Sequence, residues 1–246
     1  MDLNVIDLGL IEYQQAWKLQ EKYALEIAAG KRAATLLLLE HPHVYTFGRK
    51  GHIENLLWGE SRLKEKGLSV HWVDRGGDVT YHGPGQLVGY PLIPLGKVDS
   101  RNYVPQADYV GYLRKLEKTL IVALAHLGVA AGQKPGLTGV WVQADAYSRC
   151  PRCRPEDRNK PAKLAAIGVK VDARGIARHG FALNVDPDMS YWDGIVACGL
   201  AGYPVVSLAD LLNTPPGMGK VKEQIELALE KVFGFRMVLV GSTQDN

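Results

Sequence analysis

The amino-acid sequence predicts an α/β fold, because strand-like runs alternate with amphipathic helices along the chain. The run Thr35–Leu39 is continuously apolar, which is typical of a strand buried on both faces. Residues 103–128 carry aliphatic side chains at intervals of three and four, which predicts a long helix with one apolar face. Residues 163–171 and 180–185 are predicted to be two strands that pair with each other. Helices and strands are therefore expected to share one core.

The other elements are predicted in chain order from the same patterns. We expect strands at 3–8, 44–47, 69–75, 86–95, 139–142 and 235–240, and helices at 11–29, 54–66, 207–212 and 218–232. Residues 75–90 hold five glycines and one proline between two strands, so we expect a loop there, where binding residues tend to lie. Residues 144–162 combine three prolines with dense charge and predict an exposed loop. The whole chain, 1–246, is expected to form a single catalytic domain.

Composition limits the classes of function. The net charge of +3, from 29 basic and 26 acidic residues, is too small to argue for nucleic-acid binding. No apolar stretch approaches the ~18 residues that span a bilayer, and the N-terminus does not resemble a signal peptide. We therefore expect a cytoplasmic protein whose three cysteines are reduced. Neither a phosphate-binding GxxxxGK[ST] motif nor a GxGxxG motif is present, so nothing predicts a nucleotide cofactor.

Two residues are candidates for covalent and proton-transfer chemistry. Cys198 follows an apolar run and precedes a glycine, and a cysteine in this setting is either a small core residue or a nucleophile. Lys163 begins a run of small apolar residues, where loss of hydration would favour the neutral amine and a role as a base. Its alternative is a lysine that extends to water from a strand edge. Their spacing does not show whether the two residues meet.

Histidines and the other cysteines give weaker signals. His82 and His179 each precede a glycine at an expected strand end, and each is either a ligand-orienting or acid–base group or a structural hydrogen-bonding residue. His41 and His43 lack a third metal ligand nearby, so a hydrogen-bonded loop is the preferred interpretation. The pair Cys150 and Cys153 supplies only two of the four ligands of a structural zinc site. A shared metal, a redox pair and no essential role all stay open for it, and no metal site is predicted.

Five motifs, taken in order, resemble the octanoyltransferases of the lipoate pathway. The most specific is Arg75-Gly-Gly-x-x-Thr-Tyr-His-x-x-Gly-Gln-x-Val-x-Tyr90. The others are Glu40-His-Pro-x-Val-Tyr-Thr-x-Gly-Arg49, Lys163-Leu-Ala-Ala-Ile-Gly168, His179-Gly-Phe-Ala-Leu-Asn184 and Cys198-Gly-Leu-Ala-Gly202. The resemblance covers roughly residues 3–212.

This resemblance implies a fold similar to the catalytic domain of biotin and lipoate protein ligases, with one larger and one smaller sheet. It implies that Cys198 carries the octanoyl group as a thioester and that Lys163 acts with it as general acid and base. It also implies a substrate-binding set composed of Arg75, Gly76, Gly77, Asp78, Val79, Thr80, Tyr81, His82, Ala166, Ile167, Gly168, Gly180, Phe181 and Ala182. No cofactor is implied.

The implied substrates are octanoyl-acyl carrier protein as donor, and lipoyl domains of 2-oxoacid dehydrogenase E2 subunits and glycine-cleavage H protein as acceptors. A monomer is expected. Two alternatives are an ATP-dependent lipoate or biotin ligase on the same fold and a non-catalytic protein that binds acyl carriers or lipoyl domains. Ala197 departs from the proline that often precedes the family nucleophile. The basic residues Arg149, Arg152, Arg154 and Arg158 lead to the hypothesis that loop 144–162 docks the acidic carrier.

Overall fold

The computed structural model describes residues 2–96, 108–147, 150, 153, 155–200 and 202–240, and it describes Cys198 by its backbone alone. The strands are β1 (Asp2–Leu10), β2 (Thr35–Glu40), β3 (Val44–Phe47), β4 (Ser69–Trp72), β5 (Val79–His82), β6 (Gln86–Leu92), β7 (Gly132–Lys134), β8 (Leu137–Val142), β9 (Ala162–Val171), β10 (Ala177–Asn184) and β11 (Arg236–Leu239). The helices are α1 (Tyr13–Ala28), α2 (Glu60–Glu65), α3 (Tyr109–His126), α4 (Leu208–Leu211) and α5 (Met218–Phe233).

The strands form one larger and one smaller sheet, which confirms the predicted fold class. The eight-stranded sheet has the order β11-β1-β2-β6-β10-β9-β8-β7, and the three-stranded sheet has the order β4-β3-β5. The β1 strand runs parallel to β2 and β11, whereas the pairs from β2 through β6, β10, β9 and β8 to β7 are antiparallel. The expected pairing of β9 with β10 is confirmed, and it brings Ala166 opposite Ala182.

The larger sheet is covered on both faces, which explains the continuous apolar run in β2. Leu36 and Leu38 belong to a core that includes Leu116 and Leu120 of α3, together with α5. The alternate residues of β2 pack with α1 on the other face. Since successive strand residues point to opposite faces, a strand between two helical layers must be apolar at every position. Within the described residues, no helix is both long enough and apolar enough to cross a bilayer.

Two predictions of local structure are wrong. The segment 75–90 is not a loop throughout, because Val79–His82 forms β5 and pairs with β3. Residues 54–66 are not one helix: a 3₁₀ turn at Ile53–Asn55 is followed by extended Leu56, and α2 begins at Glu60. Leu56 forms a bridge with Ile195, so tertiary pairing overrides the helical pattern at this point.

The long helix begins later than the pattern indicates. The structure describes α3 from Tyr109, and the expected residues 103–107 lie outside the described part. The Asp108 carboxylate caps the helix by accepting a hydrogen bond from the Gly111 backbone N–H at 2.7 Å.

Candidate active site

A cavity of about 310 Å³ lies between the two sheets, and it gathers most of the predicted site residues. From the predicted set, its lining includes Arg75, Gly76, Gly77, Asp78, Thr80, His82, Lys163, Ala166, Ile167, Gly168, Gly180, Phe181 and Ala182. These residues come from the segment around β5 in the smaller sheet and from β9 and β10 in the larger sheet. Sequence motifs almost a hundred positions apart therefore contribute to one cavity.

The β9–β10 pair forms one wall of the cavity with small residues. Ala166 lies opposite Ala182, and Gly168 lies opposite Gly180. A Cβ on Gly168 would lie 3.1 Å from the Arg75 side chain, so the glycine allows the opposite wall to approach closely. The missing side chains leave room for an apolar substrate between the walls.

The wall opposite β9 and β10 is formed by residues 75–78, and the side chain of Arg75 holds it in place. Its Nη2 donates to the backbone carbonyl of Thr46 at 2.5 Å and to the Thr46 hydroxyl oxygen at 2.9 Å. The next residue, Gly76, donates its N–H to the carbonyl of Val169 at 3.0 Å. The side chain of Arg75 is buried, so these bonds are made away from bulk water. One arginine therefore ties the loop to the smaller sheet while the adjacent glycine ties it to β9.

Val79 and Tyr81 do not line the cavity, although the resemblance includes them in the substrate-binding set. Residues of a strand alternate between two faces, and on β5 the face that carries Thr80 and His82 meets the cavity. Val79 and Tyr81 instead belong to the core behind the smaller sheet. The Tyr81 ring stacks on Tyr191 with 5.2 Å between centroids. In this structure the two side chains therefore pack in the core of the smaller sheet and do not line the cavity.

Lys163 lies at the start of β9 and is only 6% exposed. Its Nζ lies over the Trp141 ring, 5.0 Å from the centroid, and its side chain lines the cavity. Its backbone N–H donates to the carbonyl of Pro204 at 2.9 Å, and its carbonyl accepts from the N–H of Val206 at 3.0 Å. The lysine therefore does not extend to water from a strand edge.

The backbone of Cys198 lies in a 3₁₀ turn formed by Ala197–Gly199, and the Cys198 side chain lies outside the described part of the chain. Leu200, two positions later, lines the same cavity as Lys163. The turn is held from outside: Val196 donates its N–H to the carbonyl of Asn55 at 2.8 Å. The Lys163 side chain and the backbone that follows Cys198 are therefore neighbours of one cavity.

Asp78 supports the same turn. Its Oδ2 accepts from the Asn55 amide at 2.5 Å, and its Oδ1 accepts from the backbone N–H groups of Val79 at 2.6 Å and His52 at 3.1 Å. A Cβ on Gly199 would lie 2.7 Å from Asp78 Oδ2, and Gly199 has a φ of +65°. Both the close approach and the positive φ favour glycine directly after the cysteine.

The two candidate histidines are buried and hydrogen-bonded. His82 Nδ1 lies 2.7 Å from Gln86 Oε1. The Gln86 amide nitrogen donates to the Tyr81 carbonyl and to Asn184 Oδ1, so its oxygen faces His82 and the histidine must be the donor. Burial lowers the pKa of His82 well below its ordinary value. The neutral ring thus has a fixed tautomer, and its Nε2 accepts from the Thr46 hydroxyl at 3.4 Å.

His179 has a different partner. Its Nε2 lies 2.7 Å from Asp74 Oδ1, and the Asp74 carboxylate also receives Lys170 at 2.6 Å and Arg178 at 2.5 Å. Burial lowers the pKa of His179, although the hydrogen bond to Asp74 opposes this effect. For Asp74, burial raises the pKa, but the hydrogen bonds from His179 and Lys170 outweigh it and the pKa is lowered. The carboxylate is therefore held charged beside the cavity.

Residues 12–230 match the family model described as the lipoyl protein ligase A/B catalytic domain. The chain belongs to this family. An octanoyltransferase from Solibacter usitatus is 43% identical over 231 residues, which is 94% of this chain and 93% of that protein. An octanoyltransferase from Geotalea uraniireducens is 41% identical over 243 residues, which is 99% of each chain. The predicted relationship to octanoyltransferases is confirmed, and the chain is an acyltransferase of this family.

Solved structures show the same fold at low sequence identity. A lipoate-protein ligase A crystallised with ATP has a TM-score of 0.70 at 13% identity, and the match covers 99% of this chain and 90% of that one. A bipartite lipoate protein ligase from Thermoplasma acidophilum has a TM-score of 0.69 at 13% identity, covering 99% and 88%. These similarities confirm the ligase-like architecture.

Several residues that line the octanoyltransferase cavity were not predicted as site residues. They are Tyr13, Lys50, Tyr90, Gly136, Leu137, Thr138 and Leu200. Tyr90 and Leu200 lie inside the quoted motifs, but Tyr13 begins a helix whose pattern indicated only packing. Nothing in the local sequence distinguishes Tyr13 from a core residue, since its place in the cavity depends on how α1 lies across the sheet.

The prediction that all cysteines are reduced is wrong for Cys150 and Cys153, which form a disulfide. Two cysteines separated by two residues can pair within a single turn, and here Cys153 donates its N–H to the carbonyl of Cys150 at 3.3 Å. Arg158 donates to the carbonyl oxygens of both cysteines at 3.3 Å. Of the basic residues expected to dock a carrier, Arg149, Arg152 and Arg154 lie outside the described residues.

His41 has the hydrogen-bonded role that its loop position indicates. Its Nδ1 lies 2.8 Å from the Ile11 carbonyl oxygen and its Nε2 lies 2.8 Å from the Tyr90 hydroxyl. His43 instead pairs with the Tyr81 hydroxyl at 2.9 Å. The described residues contain no group of three or more His, Cys, Asp or Glu side chains arranged to hold a metal ion.

Proposed function

We propose that this chain transfers an octanoyl group from acyl carrier protein to a lysine of lipoyl domains, through a thioester on Cys198. The observation that carries the proposal is that Lys163 shares a cavity with Leu200, directly after the Cys198 turn. The close relatives are named octanoyltransferases, which supports the identity of the acyl group. The small residues of β9 and β10 offer an apolar wall for its chain.

In the first step, the Lys163 amine accepts the proton of the Cys198 thiol. The thiolate attacks the carbonyl carbon of the carrier thioester and forms a new carbon–sulfur bond. The bond to the phosphopantetheine sulfur breaks, and this leaving sulfur takes the proton from Lys163. One thioester replaces another, so this step needs no nucleotide.

In the second step, the amine of the acceptor lysine attacks the Cys198 thioester. Lys163 takes a proton from this nitrogen as the carbon–nitrogen bond forms, and it returns the proton to the departing Cys198 sulfur. An amide replaces a thioester, which makes the transfer favourable overall. The covalent intermediate divides one difficult transfer into two accessible steps.

Thr80 is the best-supported contact for the polar end of the substrate. Its side chain is 5% exposed and lines the cavity, and its hydroxyl has no hydrogen-bond partner within the described residues. A buried hydroxyl without a hydrogen-bond partner destabilises the free protein. A substrate atom that forms a hydrogen bond with this hydroxyl removes that cost and so contributes to binding. We infer that Thr80 bonds the thioester group while the acyl chain lies along β9 and β10.

The finer assignments stay proposals. The acceptors proposed are E2 lipoyl domains and glycine-cleavage H protein, and the enzyme is proposed to act as a monomer with a single catalytic domain in the cytoplasm. The loop 144–162 is proposed to dock the carrier. Of its described basic residues, Lys160 pairs with the Asp157 carboxylate, whereas Arg158 donates to the uncharged carbonyls of Cys150 and Cys153 and keeps its positive charge. The docking charge is therefore assigned to Arg149, Arg152, Arg154 and Arg158.

Intact-mass measurement tests the proposal. The purified protein is mixed with octanoyl-carrier protein, without acceptor and without ATP. We expect one octanoyl adduct that hydroxylamine removes. The adduct should persist in the Cys150→Ala/Cys153→Ala double variant and disappear in Cys198→Ala.

Three other results would overturn the proposal. Strict dependence on ATP would favour a ligase that activates the free acid. Turnover without any trapped adduct would require direct transfer from carrier to acceptor. Binding of the carrier with no turnover after acceptor is added would indicate a binding protein.

A further inference from the structure

The Lys163 side chain passes over β8 on its way to the cavity. The register places Trp141 opposite Lys163, and the Nζ atom lies 5.0 Å from the centroid of the Trp141 ring. Trp141 is 3% exposed, so this contact is made away from water. Hydrogen bonds to Pro204 and Val206 fix the backbone of Lys163. The Trp141 ring of β8, in contrast, contacts the Lys163 side chain and limits where its amine can lie.

A local irregularity in β8 makes room for this path. The ladder with β9 shifts between Val140 and Trp141, and Gly139 before the shift has a φ of +121°. A Cβ on Gly139 would lie 2.7 Å from the Ala165 carbonyl oxygen and 3.3 Å from Lys163 Cε. The lysine therefore runs across a glycine and then over an indole face.

A buried carboxylate holds the irregular strand. Glu117 of α3 is fully buried, and its Oε1 accepts from the Gly139 N–H at 3.1 Å. Its Oε2 accepts from Gln133 at 2.7 Å and from Arg114 at 2.6 Å. A charge in this position is stabilised by hydrogen bonds from three directions, and it ties the helix to the strand beneath Lys163.

We propose that Trp141 is a positioning residue for Lys163 in the acyl transfer, and that its indole face holds the amine in place for proton exchange with the Cys198 thiol. Gly139 and Glu117 serve this purpose by fixing the course of β8. The inference rests on the proposed function, because it assigns Trp141 a task in that reaction.

The negative electrostatic potential of an aromatic face stabilises a base that becomes positively charged when it takes up a proton. When Lys163 accepts the thiol proton, the new ammonium lies over the electron-rich ring, an interaction that is stronger where water is excluded. Tyr203 makes a T-shaped contact with the same indole, with 5.4 Å between centroids. This second aromatic contact helps to hold the Trp141 ring in place, so the ring is already positioned before the proton moves.

The test is a pair of substitutions at Trp141. The indole nitrogen has no hydrogen-bond partner among the described residues, so Trp141→Phe keeps an aromatic face and breaks no described hydrogen bond. We expect Trp141→Leu to lower the rate of Cys198 acylation about tenfold with little change in KM, and Trp141→Phe to stay within about threefold. Trp72→Leu, which removes an exposed indole on β4, is the matched control and should leave the rate unchanged.

A double-mutant cycle separates positioning from general packing. If the ring acts through the lysine, Trp141→Leu should have almost no further effect on the slow acylation that remains in Lys163→Ala. The inference is overturned if Trp141→Leu retains the wild-type rate, if Phe is as damaging as Leu, or if the tenfold loss persists without Lys163. Melting temperatures identify a folding failure, in which case Trp141→Met replaces Leu.

Acylation of the wild-type protein is measured in the same series. If the wild type forms no octanoyl adduct, the proposed function fails. If the wild type is active and the cycle is additive, only the role of Trp141 fails.

Discussion

The two walls of the cavity are built in different ways. The strand wall, β9 and β10, is held by a regular ladder of main-chain hydrogen bonds, so its side chains mainly determine the surface that a substrate meets. The loop wall, formed by residues 75–78 and by Leu200 after the turn at 197–199, is held by side chains such as Arg75 and Asp78. A substitution on the strand wall should therefore change the chemical groups and the shape that a substrate meets. A substitution on the loop wall should instead change where that wall lies.

Removing the amine from the strand wall should have the largest effect. We expect Lys163→Ala to lower the rate of acyl-enzyme formation by about 10²–10⁴, the usual range for a general acid–base group, with little change in melting temperature. Stopped reactions followed by intact mass measure the rate. Lys170→Ala on the same strand, which removes a partner of Asp74, is the control and should stay within about threefold. Near wild-type acylation by Lys163→Ala would remove its proposed role.

Releasing the loop wall should cost both stability and affinity. Arg75→Leu leaves the Thr46 carbonyl without its buried donor, so we expect the free energy of unfolding to fall by about 2–3 kcal/mol. The KM for the octanoyl donor should rise, because the wall is no longer fixed. Urea unfolding and initial rates measure the two effects.

The control for Arg75 is Arg62→Leu, which breaks an exposed ion pair with Glu65 on α2 and should change stability by less than about 1 kcal/mol. Equal losses in the two variants would show that Arg75 is not a special anchor. A loss of stability with unchanged KM would separate the loop's position from substrate binding.

Acid should destabilise the fold through His41. Burial lowers the pKa of His41 from 6.5 to about 4, although the hydrogen bond to Ile11 opposes this effect. Because the unfolded chain takes up a proton more readily, the stability from this group is present above about pH 6.5 and is lost as pH falls toward 4. We expect His41 by itself to account for a loss of about 2 kcal/mol between pH 7 and pH 5.

Urea unfolding at both pH values measures that loss, with His41→Asn as the comparison. The variant should be less stable at pH 7, but it should lose about 2 kcal/mol less than the wild type on acidification. If both proteins show the same dependence on pH, the buried His82 or His179 rather than His41 is responsible.

The strand wall was more predictable from sequence than the loop wall. Local patterns are sufficient to pair 163–171 with 180–185, because alternation and small residues reflect the ladder directly. Val79 and Tyr81 illustrate the limit: their motif indicates a site, but the face of β5 on which they lie follows from pairing with β3. The sequence did not indicate a role for Trp141 or Glu117 in the site, since the two residues come close to Lys163 only when β8, β9 and α3 pack together.

Enlarging one small residue of the strand wall should give the smallest and most selective effect. Ala166→Val adds bulk to the cavity, so we expect kcat/KM for an octanoyl donor to fall about tenfold relative to a hexanoyl donor, within the usual value of a few methylenes in an apolar pocket. Ala165→Gly, on the opposite face of β9, is the control and should leave this ratio unchanged even if it lowers stability. Competition between the two donors measures the ratio directly. If Ala166→Val lowered the rates with both donors equally, the acyl chain would not lie along the strand wall. Binding of the acyl chain would then have to be assigned to another part of the cavity.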